Sequence, residues 1–508
     1  MSNTFLDGLK AIDNIDRTEN GGITRKTTNS AVLDMFGLGA AYRTRSEDDI
    51  IRLFSSAFLE DPLLALKCLF YIGDCRGGQG ERRFFRVAFK WLCKNYPDIA
   101  KKNLINIPIY RRWDDLIYAT EGTPLEYEAF KIIQHQLAID VVCNTPSLLA
   151  KWMPSQNASN DHTRRLGHKL ASFLGLSSKE YRKILTTLRG RINVLETLMS
   201  ARRWDEIKFD KIPSRAGLIY RNAFARKEVL AERYKEFAAS KTTKVNAKVL
   251  YPQEIAHRVF TENLNYRSIA DPERLMLQKY WDNLQDFYCG RDENGIAIVD
   301  VSGSMNGTPM EAAVSLGAYI ADKAHGPFAG HFITFSGTPQ LVKFTGADIV
   351  DKMLRCRQAD WGMNTNIEAV FDMLLATAKK KNVKQEDMPT RLYIFSDMQF
   401  DACVTTNADS YGRYNLWGPH KNEFEIISDL EAIRNKWRAE GYDLPQVVFW
   451  NLRASQNNVP ALDDNDNCIF SYVSGFSPSM IECILGGKTG YALMCDKLLS
   501  DRYKAIII

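Results

Sequence analysis

The sequence predicts two fold classes in one chain: an all-helical part over residues 1–290 and a doubly wound α/β part over residues 291–508. Three observations carry that prediction. Apolar residues recur at i, i+3, i+4 spacing through the first 285 residues, as on amphipathic helices. From Asn294 onward, short apolar runs alternate with helical stretches, the grammar of a parallel sheet covered on both faces. Charge reverses at the same place: residues 1–290 carry 45 Lys and Arg against 34 Asp and Glu, net +11, and residues 291–508 carry 21 against 27, net −6.

In the helical part the clearest spans are Asp49–Phe58, Pro62–Tyr71, Glu81–Lys94, Pro124–Gln136 and Arg182–Thr197. Polar or Gly-rich punctuation separates them at 73–80, 121–124 and 154–161. A succession of short amphipathic helix pairs suits an irregular, HEAT-like solenoid in which each pair buries its face on the next. In the α/β part, Gly295–Asp300 (GIAIVD) reads as a buried parallel strand. It is followed by a helix at Pro309–Lys323, strands at His331–Phe335 and Leu341–Phe344, and helices at Ile349–Arg355 and Ile367–Lys380. Strands at Arg391–Ser396 and Gln446–Asn451 flank a helix at Asn422–Ala439; a strand at Ile469–Val473 and a helix at Pro478–Leu485 close the pattern. The boundary falls in the polar stretch Gly290–Asn294.

Composition narrows the class. With 508 residues the chain exceeds one core's worth. Its 45% hydrophobic and 25% charged content excludes a disordered chain. No run of about 18 apolar residues exists, so no membrane span is expected. The first residues place charges where a secretory leader needs an apolar stretch, so a cytoplasmic location is expected. The 10 cysteines form no C-x-x-C pair, which fits reduced core thiols rather than a zinc ribbon or disulfide framework.

The most specific motif is Asp300-Val301-Ser302-Gly303-Ser304, directly after a strand and before a helix. Ligand sites of open α/β sheets lie outside the carboxyl ends of the strands, and this spacing puts one carboxylate and two hydroxyls on one turn there. Thr365, just before a helix, and Asp397, at the end of a strand, supply a hydroxyl and a second carboxylate from two further loops. All five are hard oxygen donors of the kind Mg²⁺ or another divalent cation takes. The competing reading of D-x-S-x-S alone is a serine-rich turn capping a helix.

These residues resemble the metal-ion-dependent adhesion site (MIDAS) of von Willebrand factor A domains, over about residues 292–508, with Asp300, Ser302, Ser304, Thr365 and Asp397 matched in order. The resemblance implies a Rossmann-like domain whose cation keeps attraction for an incoming carboxylate or phosphate. The sequence departs at Met398, where such domains often carry glycine, and a different loop shape is expected there.

The helical part concentrates its positive charge in residues 151–250, with 22 basic against 9 acidic residues, net +13. A basic block of this size, much of it Arg, is the footprint of a polyanion binder, against the alternative of a solvated charged face. Candidate RNA contacts are Lys151, Arg164, Arg165, Lys169, Arg182, Lys183, Arg189, Arg202, Arg203 and Arg215, with Arg221 nearby. Ser177 to Glu180 reads as a capping box opening a helix whose apolar face is Tyr181, Ile184, Leu185 and Leu188, which sets Arg182, Lys183 and Arg189 on the other side. Trp152 and Trp204 are candidates for base stacking, though a Trp in helical repeats is more often core.

The phrases Lys151-Trp152-Met153-Pro154-Ser155 and Arg111-Arg112-Trp113-Asp114-Asp115, with the helical repeats and the A-type domain, resemble the TROVE module of Ro-type ribonucleoprotein subunits and a sister family. That resemblance implies a ring of helical repeats closed by the A-type domain, structured small RNAs on its basic outer surface, and ends of misfolded RNAs in its hole. The function expected is therefore a non-catalytic RNA-binding protein with a Mg²⁺-bearing A-type domain. The alternative is an interaction module whose metal captures a protein partner's carboxylate, with the helical part as scaffold. A metal-dependent phosphoesterase is disfavoured because one ion and no general base are indicated. Gly487-Lys488-Thr489 lacks the first glycine of a phosphate loop, the seven histidines show no metal spacing, and no G-x-S-x-G occurs. Gly73–Gly80 is an inter-helix turn or, alternatively, an anion nest.

Overall fold

The computed structural model describes residues 13–264, 269–335, 338–357, 365–401, 429–459 and 470–508. A helical N-terminal region is followed by a mixed six-stranded sheet, so the α plus α/β class holds. The sheet begins at Gly295, as the change of grammar near 290 requires. Compactness divides the chain differently. One unit comprises Met1–Cys68, Tyr251–Ile269 and Leu284–Ser500; the other comprises Leu69–Leu250, Ala270–Asn283 and Asp501–Ile508.

The first unit includes a small antiparallel hairpin, β1 (Ile15–Arg17) and β2 (Ile23–Arg25), in a stretch read as helical from sequence. Its main sheet holds β3 (Gly295–Asp300), β4 (His331–Phe335), β5 (Gln340–Lys343), β6 (Arg391–Ser396), β7 (Gln446–Asn451) and β8 (Phe470–Ser474). The spatial order is β5-β4-β3-β6-β7-β8, parallel except for the antiparallel edge strand β5. Numbered from β3, that is the 3-2-1-4-5-6 order of a doubly wound sheet, whose switch point lies between β3 and β6. The central strands are buried along their length because helices cover them, and their sequences are continuous apolar runs rather than alternating ones. The helix Thr308–Lys323 lies close on β3 at Gly317, where a Cβ would come within 2.4 Å of Val299 Cγ2. The helix expected at Asn422–Ala439 is present over Asp429–Ala439, its first part lying outside the described residues.

The second unit is helical. An aromatic cluster of Phe70, Phe85, Phe89 and Tyr110 packs between its first helices, in edge-on and stacked pairs 5.3–6.1 Å apart. Each such ring contributes about 1.5–3 kcal/mol by burial. The C-terminal residues join this core. Tyr503 stacks on Tyr110 at 5.6 Å, and Arg502 pairs with the buried Asp74 at 2.7 Å. Asp74 sits in the Gly73–Gly80 segment, whose backbone folds back on Tyr71 and Ile72, so the inter-helix turn reading applies. The helix Ser178–Arg191 starts on the expected capping box, and Tyr181, Leu185 and Leu188 are buried. The single helix expected over Arg182–Thr197 is two, because Asn193 takes φ 51° and a second helix begins at Leu195. No helix among the described residues is long and apolar enough to cross a membrane. The described cysteines are free thiols, with Cys68, Cys93 and Cys356 buried.

Candidate metal centre and nucleic-acid interface

Asp300 is the last residue of β3 and Asp397 follows the last residue of β6, so both carboxylates stand at the switch point. Each is almost sealed from solvent, at 0% and 2% exposure. One Asp300 oxygen accepts from the Ser302 backbone N–H at 2.9 Å and the other from the Ser396 hydroxyl at 2.6 Å. The hydroxyls of Ser302 and Ser304 lie 3.1 Å apart, and Ser304 hydrogen-bonds Asp397. Four of the five predicted donors are thus linked in one chain of contacts. Ser304 is exposed, whereas Ser302 is buried.

Thr365 is buried just before the helix Ile367–Lys381, as expected; its loop partners 361–364 lie outside the described residues. Its hydroxyl is engaged elsewhere: it donates to Asp401 at 2.9 Å and accepts from Asn20 Nδ2 at 2.7 Å. Asp401 also accepts from the Thr365 backbone N–H at 3.0 Å. The β1–β2 turn lies against this edge, with the Glu19 N–H donating to Gln399 Oε1 at 2.8 Å and Asn20 Nδ2 to the Gln399 carbonyl at 2.8 Å. Asp401, Glu19 and Asn20 were not singled out from sequence. Asp401 follows an unremarkable Met-Gln-Phe run, and the turn is nearly 350 residues away along the chain.

Burial pushes both carboxyls above the usual aspartate range, Asp300 further raised by the charge of Asp397 and Asp397 by that of Glu19. Hydrogen bonds to the Asp300 carboxylate, and Arg453 beside Asp397, oppose the rise without cancelling it. Two buried carboxylates with too little positive charge and several neutral oxygens are a donor set that suits a hard divalent cation. Met398 takes φ 64°, the left-handed region that glycine enters freely. The turn expected to change shape there instead has the backbone a glycine would adopt, with a buried methionine side chain.

In the second unit the basic candidates divide. Arg182, Lys183, Arg202, Arg203, Arg165, Lys169 and Arg215 are exposed, and Lys151 and Arg164 half-buried. Several carry acidic partners: Arg164 and Arg165 pair with Asp161, Lys169 with Glu126 at 2.6 Å, and Arg203 with Glu206. Arg189 does not line an outer face. Its guanidinium turns inward and donates to the carbonyls of Ala150 at 2.8 Å and Met153 at 3.0 Å and to Ser155 Oγ at 3.1 Å. Arg189 is half-buried, and Arg221 is buried and paired with Glu273. Carbonyls left open where the short helix Leu149–Trp152 ends draw Arg189 in, a demand that helical periodicity does not register.

The two phrases noted in the sequence meet in space. Arg112 lies over the Trp152 ring at 4.0 Å, and Asp114 accepts from Arg112 and Arg82 at 2.9 Å and from Arg86 at 3.3 Å. Asp115 pairs with Arg86 at 2.6 Å and with the buried Arg111 at 3.1 Å. Four guanidiniums therefore share two carboxylates.

The model of a domain of unknown function, DUF2828, matches residues 18–118 and 131–286, half of the chain. A second, domain of unknown function DUF7788, matches residues 294–495. The chain is also similar to uncharacterized protein L728 of Acanthamoeba polyphaga mimivirus, with 32% identity over 520 aligned positions that cover 94% of this chain and 85% of the viral one. A match along the helical half, joined to a relative aligned over nearly the whole length, means that the chain belongs to the DUF2828 family.

Proposed function

We propose that this is a non-catalytic RNA-binding protein of the Ro type, taking small structured or misfolded RNA on its helical unit and holding Mg²⁺ or a similar cation in an A-type domain. The observation that carries the reading is the segregation of charge. The helical unit holds 37 Lys and Arg against 22 Asp and Glu, net +15, and the sheet unit 29 against 39, net −10. A polyanion gains from the first and is repelled by the second. HEAT-like repeats, ring closure and the MIDAS identity of the sheet edge belong to this reading, as does a cytoplasmic setting.

Asp300, Ser302, Ser304 and Asp397 would hold the cation directly or through water, with Thr365 joining from its own loop once its hydroxyl turns from Asp401. When bound, the cation supplies the positive charge that two buried carboxylates lack and a site for an incoming oxygen anion. A second reading, capture of a partner protein's carboxylate, is favoured by the exposure of Ser304 beside otherwise buried donors.

Binding of a labelled small RNA across a salt series tests the proposal. Neutralising about five phosphates of single-stranded RNA gives a log–log slope near −3.5, at about −0.7 per contact. A protein that binds no RNA even at low salt, and instead retains a protein partner only when Mg²⁺ is present, would establish the second reading.

A further inference from the structure

Between the helix Trp113–Thr120, the segment 151–158 and the helix Asp161–Phe173 lies a cavity of about 220 Å³. We propose that it is a nucleobase pocket: one unpaired base of single-stranded RNA enters against Trp152 while its phosphate meets Arg82, Arg112 and Lys151. The proposal rests on the RNA-binding reading and deepens it.

The lining suits a small planar ligand. Ile117, Met153 and Leu166 are buried and form an apolar bed, and the polar groups of Tyr118, Ser155 and Thr163 border the space. The volume lies below the range of about 300–1,000 Å³ typical of drug-sized ligands, so the occupant is small. Trp152 is half-buried, with the Arg112 guanidinium at 4.0 Å from its ring centre and the Lys151 ammonium at 5.4 Å. The guanidinium covers one face of the ring, so a base stacks on the other, and such stacking is tolerant of base identity.

Charge selects an anionic occupant. Asp114 and Asp115 balance only two of the four arginines around them. Arg111 is consumed inside, bonded to Asp115 and to the carbonyls of Gly73 and Glu81. Arg82 and Arg112 keep 40% and 26% of their side-chain surface exposed, so the surplus is open to solvent. Planar guanidinium forks match phosphate oxygens.

The wall is built to hold its shape. Arg189 ties three groups of the 150–155 segment together, and the Tyr181 hydroxyl donates to the Pro154 carbonyl at 2.8 Å. Gly167 allows the neighbouring helix to approach, since a Cβ there would stand 3.0 Å from the Pro154 carbonyl oxygen. A pocket fixed before binding loses little freedom on binding. An acidic or phosphorylated peptide side chain shares part of this chemistry. The net +15 of the unit, reaching well beyond the pocket, favours RNA.

The test uses the full chain and labelled ten-residue oligouridylate and oligoadenylate, with a blunt RNA duplex as control. Trp152→Leu should weaken both single strands by about 5- to 100-fold and leave the salt slope unchanged, because it removes stacking and no phosphate contact. Ala158→Leu, which grows into the cavity and spares the ring, should weaken them similarly with an unchanged melting temperature. Duplex binding should be unaffected by either. Should Trp152→Leu fail to fold, Ala158→Leu decides. Single strands bound equally by wild type and variants would overturn the pocket and leave the RNA reading standing. A wild type that binds no RNA would overturn both, and Trp152-dependent binding of an acidic or phosphorylated peptide alone would reassign the pocket to a protein ligand.

Discussion

The sheet edge of one unit and the arginine cluster of the other face opposite versions of one electrostatic difficulty. At the sheet edge, Asp300 and Asp397 are buried with too few cations; in the helical unit, four arginines crowd two aspartates. The consequences differ. Burial holds both sheet-edge carboxyls above their ordinary range, with the charge of Asp397 adding to it at Asp300 and that of Glu19 at Asp397. Burial also raises Asp115, but Arg111, Arg86 and Arg82 outweigh it and hold this carboxyl below the ordinary aspartate value of 3.8. A buried carboxylate short of positive charge is held toward its protonated form, whereas one rich in it stays ionised as a structural member.

The largest expected effect breaks the comparison on the helical side. Asp115→Asn leaves Arg111 buried without its counter-charge and should lower unfolding stability by about 3–5 kcal/mol in urea titrations at neutral pH. The folded-state pKa is depressed, so this stabilisation is present above the unfolded aspartate pKa and is lost as pH falls through the lower, folded-state value. The wild type should therefore approach the variant only in acid. A loss under 1 kcal/mol at neutral pH would show that the cluster does not depend on Asp115.

The sheet edge should respond with a change of sign. In excess Mg²⁺ the wild type should gain about 2.7 kcal/mol at a hundredfold excess over Kd, and Asp300→Asn should lack that gain. In EDTA, Asp300→Asn should melt at or above the wild type, because it removes one of two buried like charges. Thermal melts of both proteins in both buffers make the test. Equal responses to EDTA would remove the metal assignment.

These two regions were legible in the sequence to different degrees, for physical reasons. Asp300, Ser302, Ser304 and Asp397 come together as expected because strand ends are fixed by apolar runs such as GIAIVD and RLYIFS. The β1–β2 hairpin was missed. Its strands are three residues each, and distant partners hold it: Thr18 bonds the Phe400 carbonyl and Ile23 bonds Asp429. No local pattern records such tertiary bonds. Ile184, Leu185 and Leu188 announced the apolar side of the helix Ser178–Arg191, but a guanidinium on a flexible stem follows hydrogen-bond demand rather than helical phase, and Arg189 turned to the open carbonyls.

That difference between neighbouring arginines yields two further tests. Arg189→Met gives up three hydrogen bonds to the 150–155 segment and should cost about 1–3 kcal/mol of stability. Its effect on the salt slope of RNA binding should be small, because its guanidinium is spent on these bonds.

Arg182 and Lys183 lie one turn or more earlier on the same helix and should behave in the opposite way. Both are exposed, and among the described residues Arg182 bonds, through Nε, only the Ser178 carbonyl of its own helix, at 3.1 Å. Replacing both with Gln keeps helix propensity and removes no buried contact, so stability should change by no more than about 0.5 kcal/mol. If both side chains neutralise phosphates, the log–log salt slope should flatten by about 1.4, at about 0.7 per contact on single-stranded RNA. The pair of measurements, melting temperature and salt slope, then sorts the basic residues by role. Stability lost with the slope kept marks a side chain that holds the fold, and the slope lost with stability kept marks one that meets RNA. An unchanged slope in the double variant, in a protein that binds RNA, would move the binding face away from this helix and toward the exposed Arg202, Arg203 and Arg215.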